Sequence, residues 1–304
     1  MGAVTLILNT RQRIVGAYAG DANGQLWRFD LRGQPTDWRV SYNKPLFITQ
    51  SRRPIYAGPA WQAHPKGGAI VVVATGMLLD EADAAAVSGD EAVYGVWDPT
   101  SPNQSDDVNF TTVAPEQLLV QSMLSFVGSQ GTDEFYSATE NKIDWKVHRG
   151  WRFGLGTVLP GERSIHQIAN VGSSVMVSTV AVDARNPAES CATTTAASST
   201  YLFNALDGRY KPSFDIDGDG RLDGASIVIN CDGGYGRNTG IRWLTTSTSS
   251  FERQATGTGR ETSTGCERVR FQLVGTGAGS NNGGVDCETP GWSRQQYQLM
   301  QAPR

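Results

Sequence analysis

The chain has 304 residues, which is enough for one large β domain or two ordinary domains. Its 26 basic and 30 acidic residues give a formal net charge of −4, and no basic stripe interleaved with aromatic residues is present. This charge pattern excludes nucleic acid as the expected partner. No apolar run reaches the roughly 18 residues that a membrane-spanning helix needs, so direct membrane insertion is not predicted. The 35 glycines and the abundant Ser and Thr predict many short strands joined by tight turns.

Strands and turns alternate from the start of the chain. Two β-rich runs, Val4–Leu8 and residues 14–19, precede an Asn23-Gly24 turn. This dipeptide is the strongest short-range signal for a hairpin when it lies between such runs. The run over residues 25–31 has a period of two. It places Leu26, Arg28 and Asp30 on one face and Trp27, Phe29 and Leu31 on the other.

A similar unit then recurs: an apolar strand, a loop, and a strand that carries an aromatic residue and closes near Asp or Gly. Ala69–Ala74 with Ala92–Asp98 is one such pair, and residues 174–181 with residues 199–208 form another. The aromatic landmarks lie roughly 50 to 70 residues apart, which fits the roughly 40–50 residues of a four-stranded propeller blade lengthened by insertions. These landmarks are Trp27, Trp97, Trp151 and Phe203. The sequence therefore predicts an all-β fold, a β-propeller with few or no helices. A β-sandwich is the alternative.

The cysteines lie in the C-terminal part, at positions Cys191, Cys231, Cys266 and Cys287. None forms a Cys-x-x-Cys motif and the chain has three histidines, so a zinc site is not expected. An even number in polar, loop-like sequence indicates two disulfides in an oxidising compartment, and four separate thiols are the alternative. Cys191–Cys231 with Cys266–Cys287 is one of three possible pairings.

Two regions are expected along the chain. Residues 1–230 carry the blade-like units, and residues 231–304 form a disulfide-pinned, Gly/Ser/Thr-rich hairpin region around the strand Val269–Val274. The start of the chain lacks a basic segment and a cleavage site. It fits a cytosolic protein or a piece of a longer exported one.

One short segment carries metal-binding chemistry. Four carboxylates stand at relative positions 1, 3, 5 and 9 of a loop, as Asp215, Asp217, Asp219 and Asp223. Such a set of carboxylates suits a hard divalent cation with six to eight oxygen ligands, so the loop predicts a Ca²⁺ site. The carbonyl of Arg221 would add a ligand at position 7. Position 12 is Ser226 where helix-flanked loops carry Glu, so Asp223 is expected to close the site and a strand to follow. A plain acidic turn is the alternative.

Catalytic machinery is not expected. His64, His148 and His166 are isolated in different segments, and no nucleophile–base pair adjoins the acidic loop. The sequence therefore predicts a non-enzymatic protein in which the metal is structural or regulatory.

Several sequence segments, found in the same order along the chain, resemble one protein family. They are 18–31 (YAGDANGQLWRFDL), 54–59 (PIYAGP), 64–68 (HPKGG), 74–80 (ATGMLLD), 93–98 (VYGVWD), Gly161-Glu162-Arg163 and the acidic loop. Over roughly residues 3 to 230 the chain resembles the C-terminal propeller domain of the PilY/PilC-type family of type IV pilus biogenesis factors and tip adhesins. The resemblance covers the later blades of that propeller, and it implies a modified β-propeller that forms a partial ring of about four blades.

The resemblance implies an exported protein displayed at the pilus tip or outer membrane, where it supports pilus extension, twitching motility and surface attachment in a calcium-dependent way. The implied partners are the pilus machinery, with its minor pilins and pilus tip, and a host or abiotic surface. The implied ligands are Asp215, Asp217, Asp219, the carbonyl of Arg221, and Asp223. Two features depart from the family. Residues 8–14 replace an acidic loop that many members have before the first of these segments, and an integrin-type Arg-Gly-Asp is absent.

Two other classes share some of these features. A quinoprotein (PQQ-type) dehydrogenase propeller has similar blade strands and uses calcium, but this chain lacks an adjacent Cys-Cys pair. A calcium-stiffened carbohydrate-binding module would use exposed tryptophans for sugar stacking, with Trp61, Trp151 and Trp292 as candidates.

Overall fold

The structure is a computed structural model that describes residues 1–79, 83, 89–106, 109–131, 133–182, 196–210, 212–217, 222–230, 240–242, 269–274 and 280–285. The strands of this part are, in chain order, β1 (Val4–Leu8), β2 (Ile14–Gly20), β3 (Gln25–Asp30), β4 (Arg39–Val40), β5 (Phe47–Ile48), β6 (Ala60–Ala63), β7 (Ala69–Ala74), β8 (Ala92–Asp98), β9 (Leu119–Gln121), β10 (Met123–Gln130), β11 (Asp133–Ala138), β12 (Gly150–Gly154), β13 (Ala169–Val171), β14 (Ser174–Val182), β15 (Ala196–Asn204), β16 (Ile227–Asn230), β17 (Gly240–Arg242), β18 (Val269–Val274) and β19 (Ser280–Val285). Short 3-10 helices cover Pro35–Asp37, Ser41–Asn43, Gln50–Arg52 and Pro115–Gln117.

The strands form four sheets in the described part of the chain. The first sheet has the order β1-β2-β3-β4, with β5 also paired to β3. The second has the order β6-β7-β8-β12-β9, and the third has the order β10-β11-β16-β15-β14-β13. The fourth is β17-β18-β19. Neighbouring strands are antiparallel except for β9 and β12, which run parallel.

The second sheet lies between the first and the third and is buried on both faces. Every residue of β7 is buried, and successive side chains of a strand point to opposite faces. Ile70 and Val72 pack in one core with residues of the third sheet, such as Val177 and Phe203. Val71 packs in another core with residues of the first sheet. The continuous apolar run of β7 is thus explained by two cores, one on each side.

Trp151 of β12 fills the space between the second and third sheets. Its indole is fully buried, and its Nε1 donates a hydrogen bond to the carbonyl of Ala205 at 3.0 Å. A Cβ on Gly95, its cross-strand neighbour in β8, would stand 2.1 Å from Trp151 Nε1. Gly95 is therefore required by the indole ring that lies across it.

The polar face of β3 is the buried one. Arg28 is 4% exposed, and its Nε lies 3.1 Å from Asp98 Oδ2 while its Nη1 lies 2.8 Å from Asp106 Oδ1. Tyr18 donates its hydroxyl to Asp98 Oδ2 at 2.6 Å, and Tyr42 donates to Asp98 Oδ1. Burial raises the pKa of Tyr18 and of Tyr42, so both phenols keep their protons and act as donors. This network joins the first and second sheets through charge as well as apolar contact.

Tyr42 adopts an unfavourable backbone conformation in this network. Its backbone has a φ of 62°, in the left-handed region that a bulky residue rarely adopts. Such a conformation costs about 1–3 kcal/mol and persists only where the surroundings determine it. Here the hydroxyl also reaches Thr100 Oγ1 at 2.7 Å, and the ring stacks on Phe110 at 4.0 Å.

His64 lies in an aromatic cluster at another point of the second sheet. Its ring stacks on Trp97 at 4.9 Å and meets Trp145 edge-on at 4.4 Å between ring centroids. Nδ1 accepts the backbone N–H of Lys66 at 3.1 Å. Burial, with a smaller contribution from the Lys66 charge, lowers the pKa of His64 to about 4, so the imidazole is neutral at physiological pH.

Most of the sequence-based expectations for the fold are confirmed. The described elements are strands and short 3-10 helices, and the Asn23-Gly24 turn does join β2 to β3. The spacing of aromatic landmarks was a poor guide to blades, because Trp97 and Trp151 lie on adjacent strands of one sheet. A hairpin is present at β18 and β19, and the Gly/Asn-rich residues 280–285 form its second strand. The four cysteines and their pairing lie outside the described residues.

The buried network generates a prediction for stability. Replacing Arg28 by Met leaves the Asp98 carboxylate buried without its cation. This is expected to lower the free energy of unfolding by about 3–5 kcal/mol. Arg11→Met, the same change at an exposed position of the β1–β2 turn, is expected to stay within about 0.5 kcal/mol of the wild type. Urea denaturation measures both variants, and equal midpoints would show that the network does not stabilise the fold.

The low pKa of His64 predicts loss of stability in acid. The folded-state pKa of about 4 lies below the ordinary value of 6.5, so the unfolded chain binds the proton more tightly. The stabilisation is complete above pH 6.5 and is lost as the pH falls toward 4. Between pH 7.5 and pH 5 the wild type should lose roughly 2 kcal/mol more than His64→Phe, which keeps an aromatic ring.

The matched control for this prediction is His148→Phe, which leaves His64 in place and should retain the acid dependence of the wild type. Urea denaturation at several pH values gives the slope of the unfolding free energy against pH for the wild type and for each of the two variants. An unchanged slope in His64→Phe would mean that another group causes the acid sensitivity.

Candidate metal centre

The acidic loop is attached to the outer face of the third sheet by alternating side chains. Phe214 is fully buried and meets Phe135 of β11 with ring centroids 5.5 Å apart. Ile216 packs against the same cluster, which also contains Met176 of β14. Asp215 is half-buried and Asp217 is exposed, so both carboxylates reach solvent. Two apolar anchors thus place both carboxylates on the solvent side.

Backbone and side-chain hydrogen bonds close the loop. Phe214 and Asp223 form an antiparallel bridge, in which Asp223 N–H donates to the Phe214 carbonyl at 2.7 Å. Ser213 N–H donates to the Ala225 carbonyl at 2.8 Å, and β16 follows at Ile227. Asp223 Oδ2 accepts the backbone N–H of Ile216 at 2.6 Å. The chain therefore returns to its starting point within nine residues, and a strand leaves the loop as the sequence predicts.

Three of the predicted ligands converge. One carboxylate oxygen from each of Asp215, Asp217 and Asp223 lies within 4.8 Å of the others. Ca²⁺–oxygen distances are about 2.3–2.6 Å, so two ligand oxygens on opposite sides of one ion stand about 4.6–5.2 Å apart. The three oxygens are therefore close enough to share a calcium ion. Asp217 is exposed and the other two are half-buried, which leaves access for an ion from solvent.

The donor set agrees with a hard cation. Carboxylates are the ligands that Ca²⁺ prefers, and no His or Cys belongs to this cluster of described residues. Asp219 and Arg221, the other two predicted ligands, lie outside the described residues, as do Gly218 and Gly220. Asp223 was expected to close the site with both oxygens. The structure gives one of them, Oδ2, a hydrogen bond to the backbone.

The structure also places the other residues considered from sequence. Trp151 is buried and hydrogen-bonded inside the fold, which removes it as a sugar-stacking residue. Trp61 is half-buried, and its Nε1 donates to the carbonyl of Leu6 at 3.1 Å. Trp292 lies outside the described residues. His64 belongs to the aromatic cluster described above. In the described part, no helix is long and apolar enough to cross a membrane.

Sequence reasoning missed the polar network of Arg28 and Asp98. A signal was available, because charged residues alternate along β3 opposite the aromatic face formed by Trp27 and Phe29. Alternation shows which residues share a face but does not show which face is inside. The partners Asp98 and Asp106 are also about 70 to 80 residues away in the chain, beyond the reach of any local pattern.

Comparison with known proteins agrees with this fold. Residues 5–123 match the family described as the PilY1 beta-propeller domain. The crystal structure of the Pseudomonas aeruginosa PilY1 C-terminal domain superimposes with a TM-score of 0.67 at 19% sequence identity. The match covers 92% of this chain and 60% of that chain. The fold is therefore a partial, modified β-propeller.

Curated relatives point to the same group. The type IV pilus biogenesis factor PilY1 of P. aeruginosa strain UCBPP-PA14 is 27% identical over an alignment of 209 residues, and the match covers 54% of this chain and 18% of the relative. The PilY1 homolog of Xylella fastidiosa strain Temecula1 is 26% identical over an alignment of 176 residues, and the match covers 53% of this chain and 11% of the relative. The aligned part thus spans less than a fifth of these relatives. Together with the propeller match over residues 5–123, these similarities show that the chain resembles PilY1-type proteins in sequence and in fold.

Proposed function

We propose that this chain is a calcium-binding domain of a type IV pilus biogenesis factor that acts at the pilus tip or cell surface. The observation that carries the calcium assignment is the convergence of Asp215, Asp217 and Asp223 at a spacing that suits one Ca²⁺ ion. The role in pilus biogenesis is supported by the relatives, which are named as type IV pilus biogenesis factors. Support of twitching motility and surface attachment is the further part of this proposal. Minor pilins, the pilus tip and an external surface are the proposed partners.

The form of the loop supports a structural or regulatory ion. The carboxylates lie on a loop whose two ends are already joined by the Phe214–Asp223 bridge. Without a cation, several carboxylates held so close repel one another. An ion would remove that repulsion and fix the segment between Asp217 and Asp223, while the apolar anchors hold the loop on the sheet. No nucleophile–base pair of described residues adjoins the loop, and the proposed function is non-enzymatic.

Calcium binding is tested with the Asp217→Ala/Asp219→Ala double variant. The wild type is expected to bind Ca²⁺ in isothermal titration calorimetry, and the double variant is expected to show no binding heat because two ligand carboxylates are lost. Glu116→Ala/Glu140→Ala removes two exposed carboxylates elsewhere and should leave binding intact. Equal binding by all three proteins would contradict the site assignment.

The same ion is expected to stabilise the fold by mass action. At a calcium concentration about 100-fold above the dissociation constant, the gain in unfolding free energy is about 2.7 kcal/mol. The melting temperature of the wild type should therefore be higher in calcium than in EGTA. The melting temperature of the double variant should be the same in both. A calcium-dependent shift of equal size in the double variant would place the ion elsewhere.

The pilus assignment is tested separately in the bacterium that encodes the chain. Deleting its gene should abolish twitching motility and surface pili, and the intact gene should restore both. Normal pili and motility in the deletion strain would refute the pilus role without affecting the calcium result. The Asp217→Ala/Asp219→Ala allele then shows whether calcium is needed for that role.

A further inference from the structure

The segment that runs from β9 of the second sheet into β10 of the third sheet exposes an unusual amount of apolar surface. Four large hydrophobic side chains between residues 119 and 130 are exposed by 39% to 64%. These are Val120 (45%), Leu124 (64%), Phe126 (55%) and Val127 (39%), here called the apolar edge. In the described part of the chain, β10 is the terminal strand of its sheet and is paired on one side, to β11.

Two β-bulges explain why consecutive residues of β10 are exposed. Met123 pairs with Ala138 and Phe126 with Tyr136, so two residues of β10 oppose one of β11. Gly128 then pairs with Phe135, which leaves Val127 without an opposite residue. Bulges redirect side chains and bend the strand. Leu124, Phe126 and Val127 are all turned toward solvent as a result, and the bulges also hinder simple extension of the sheet by another strand.

The charged side chains that commonly protect an edge strand are missing from β10. Natural edges are commonly blocked by charged side chains, especially lysine. Residues 119–130 contain no charged residue, and no Lys or Arg occurs from Leu119 to Asn141. Soluble proteins rarely leave contiguous apolar patches exposed unless they bind something.

Carboxylates border one end of the apolar edge. Asp133 and Glu134 of β11 pair with Gln130 and Ser129 of β10. The space above Gly128 is occupied by Ile216, whose Cγ2 lies 3.6 Å from the position that a Cβ would take. Ile216 stands between Asp215 and Asp217, so the metal loop adds its carboxylates to the same end. The surface is therefore apolar along the strand and acidic at its C-terminal end.

We propose that the apolar edge is a docking site for a segment of a partner protein that presents apolar side chains beside lysine or arginine. The apolar side chains would cover Leu124, Phe126 and Val127, and the basic residues would lie against the acidic end. Charge complementarity selects this occupant, because an acidic segment would be repelled by the half-buried Glu134 and by the loop carboxylates. The docking site is independent of the calcium proposal, since β10 and its neighbours are formed by the sheet itself.

Two labelled synthetic peptides test the proposal by fluorescence anisotropy with the whole 304-residue chain. One has a central Val-Thr-Val-Phe-Val segment with two lysines at each end, and the other carries glutamates in place of the lysines. EGTA is present, so the result does not depend on whether the loop binds calcium. The lysine peptide is expected to bind at least about tenfold more tightly than the glutamate peptide.

Paired variants localise the binding. Leu124→Ser/Phe126→Ser should weaken binding of the lysine peptide at least about tenfold, because two apolar contacts are lost. Leu79→Ser/Val147→Ser changes two hydrophobic residues that are exposed by 62% and 68% outside the apolar edge, and it should bind as the wild type does. Thermal melting confirms that both variants fold.

Three outcomes would overturn the proposal. They are absence of saturable binding by the lysine peptide, equal affinity for the two peptides, and equal affinity of the wild type and the Leu124→Ser/Phe126→Ser variant. Sedimentation of the unlabelled chain tests for a fourth outcome that would overturn the proposal. A dimer that only this variant dissociates would identify a second copy of the chain as the occupant instead.

Discussion

Because β7 presents apolar side chains to both sides, the second sheet requires another sheet on each of its faces. Ile70 and Val72 are buried by the third sheet, while Val71 is buried by the first. Each fully buried Val or Ile contributes about 1.5–3 kcal/mol, so separating either neighbour would expose a large apolar area. The order of the three sheets follows from this single strand. Face-to-face stacking of antiparallel sheets is also what a propeller requires of its blades.

The geometry of the acidic loop depends on the same stacking. The third sheet has one face in the core shared with the second sheet, and its other face holds a smaller cluster that includes Phe135 and Phe214. Phe214 fixes the start of the loop, and the Phe214–Asp223 bridge fixes its end. The carboxylates therefore converge because the backbone is anchored by apolar contacts beneath them. Their charge opposes that convergence until a cation offsets it.

The sequence predicted local features well and distant ones poorly. Period-two alternation identified β3, a continuous apolar run identified β7, and the 1-3-5-9 spacing of aspartates predicted the cluster of Asp215, Asp217 and Asp223. Alternation could not show that Arg28 faces inward, since its partner Asp98 belongs to another sheet 70 residues away. The bulges of β10 could not be predicted from the sequence either. They arise from shifts in the pairing register of β10 and β11, which neither strand sequence shows by itself. Asp219 and Arg221 stay predictions.

Ile216 of the metal loop contacts Gly128 of β10. The carboxylates of the loop therefore lie beside the end of the apolar edge, and their charge affects binding at that surface. Calcium at Asp215, Asp217 and Asp223 would reduce the negative charge beside Gly128, where the basic residues of a partner segment would lie. Bound calcium should therefore lower the affinity of this surface for a lysine-flanked segment. By thermodynamic linkage, the bound segment should lower the affinity of the loop for calcium by the same factor. The apolar contacts along β10 carry no charge and would not change. Calcium would thus adjust the affinity of this surface for its partner while leaving the position of docking to Leu124 and Phe126.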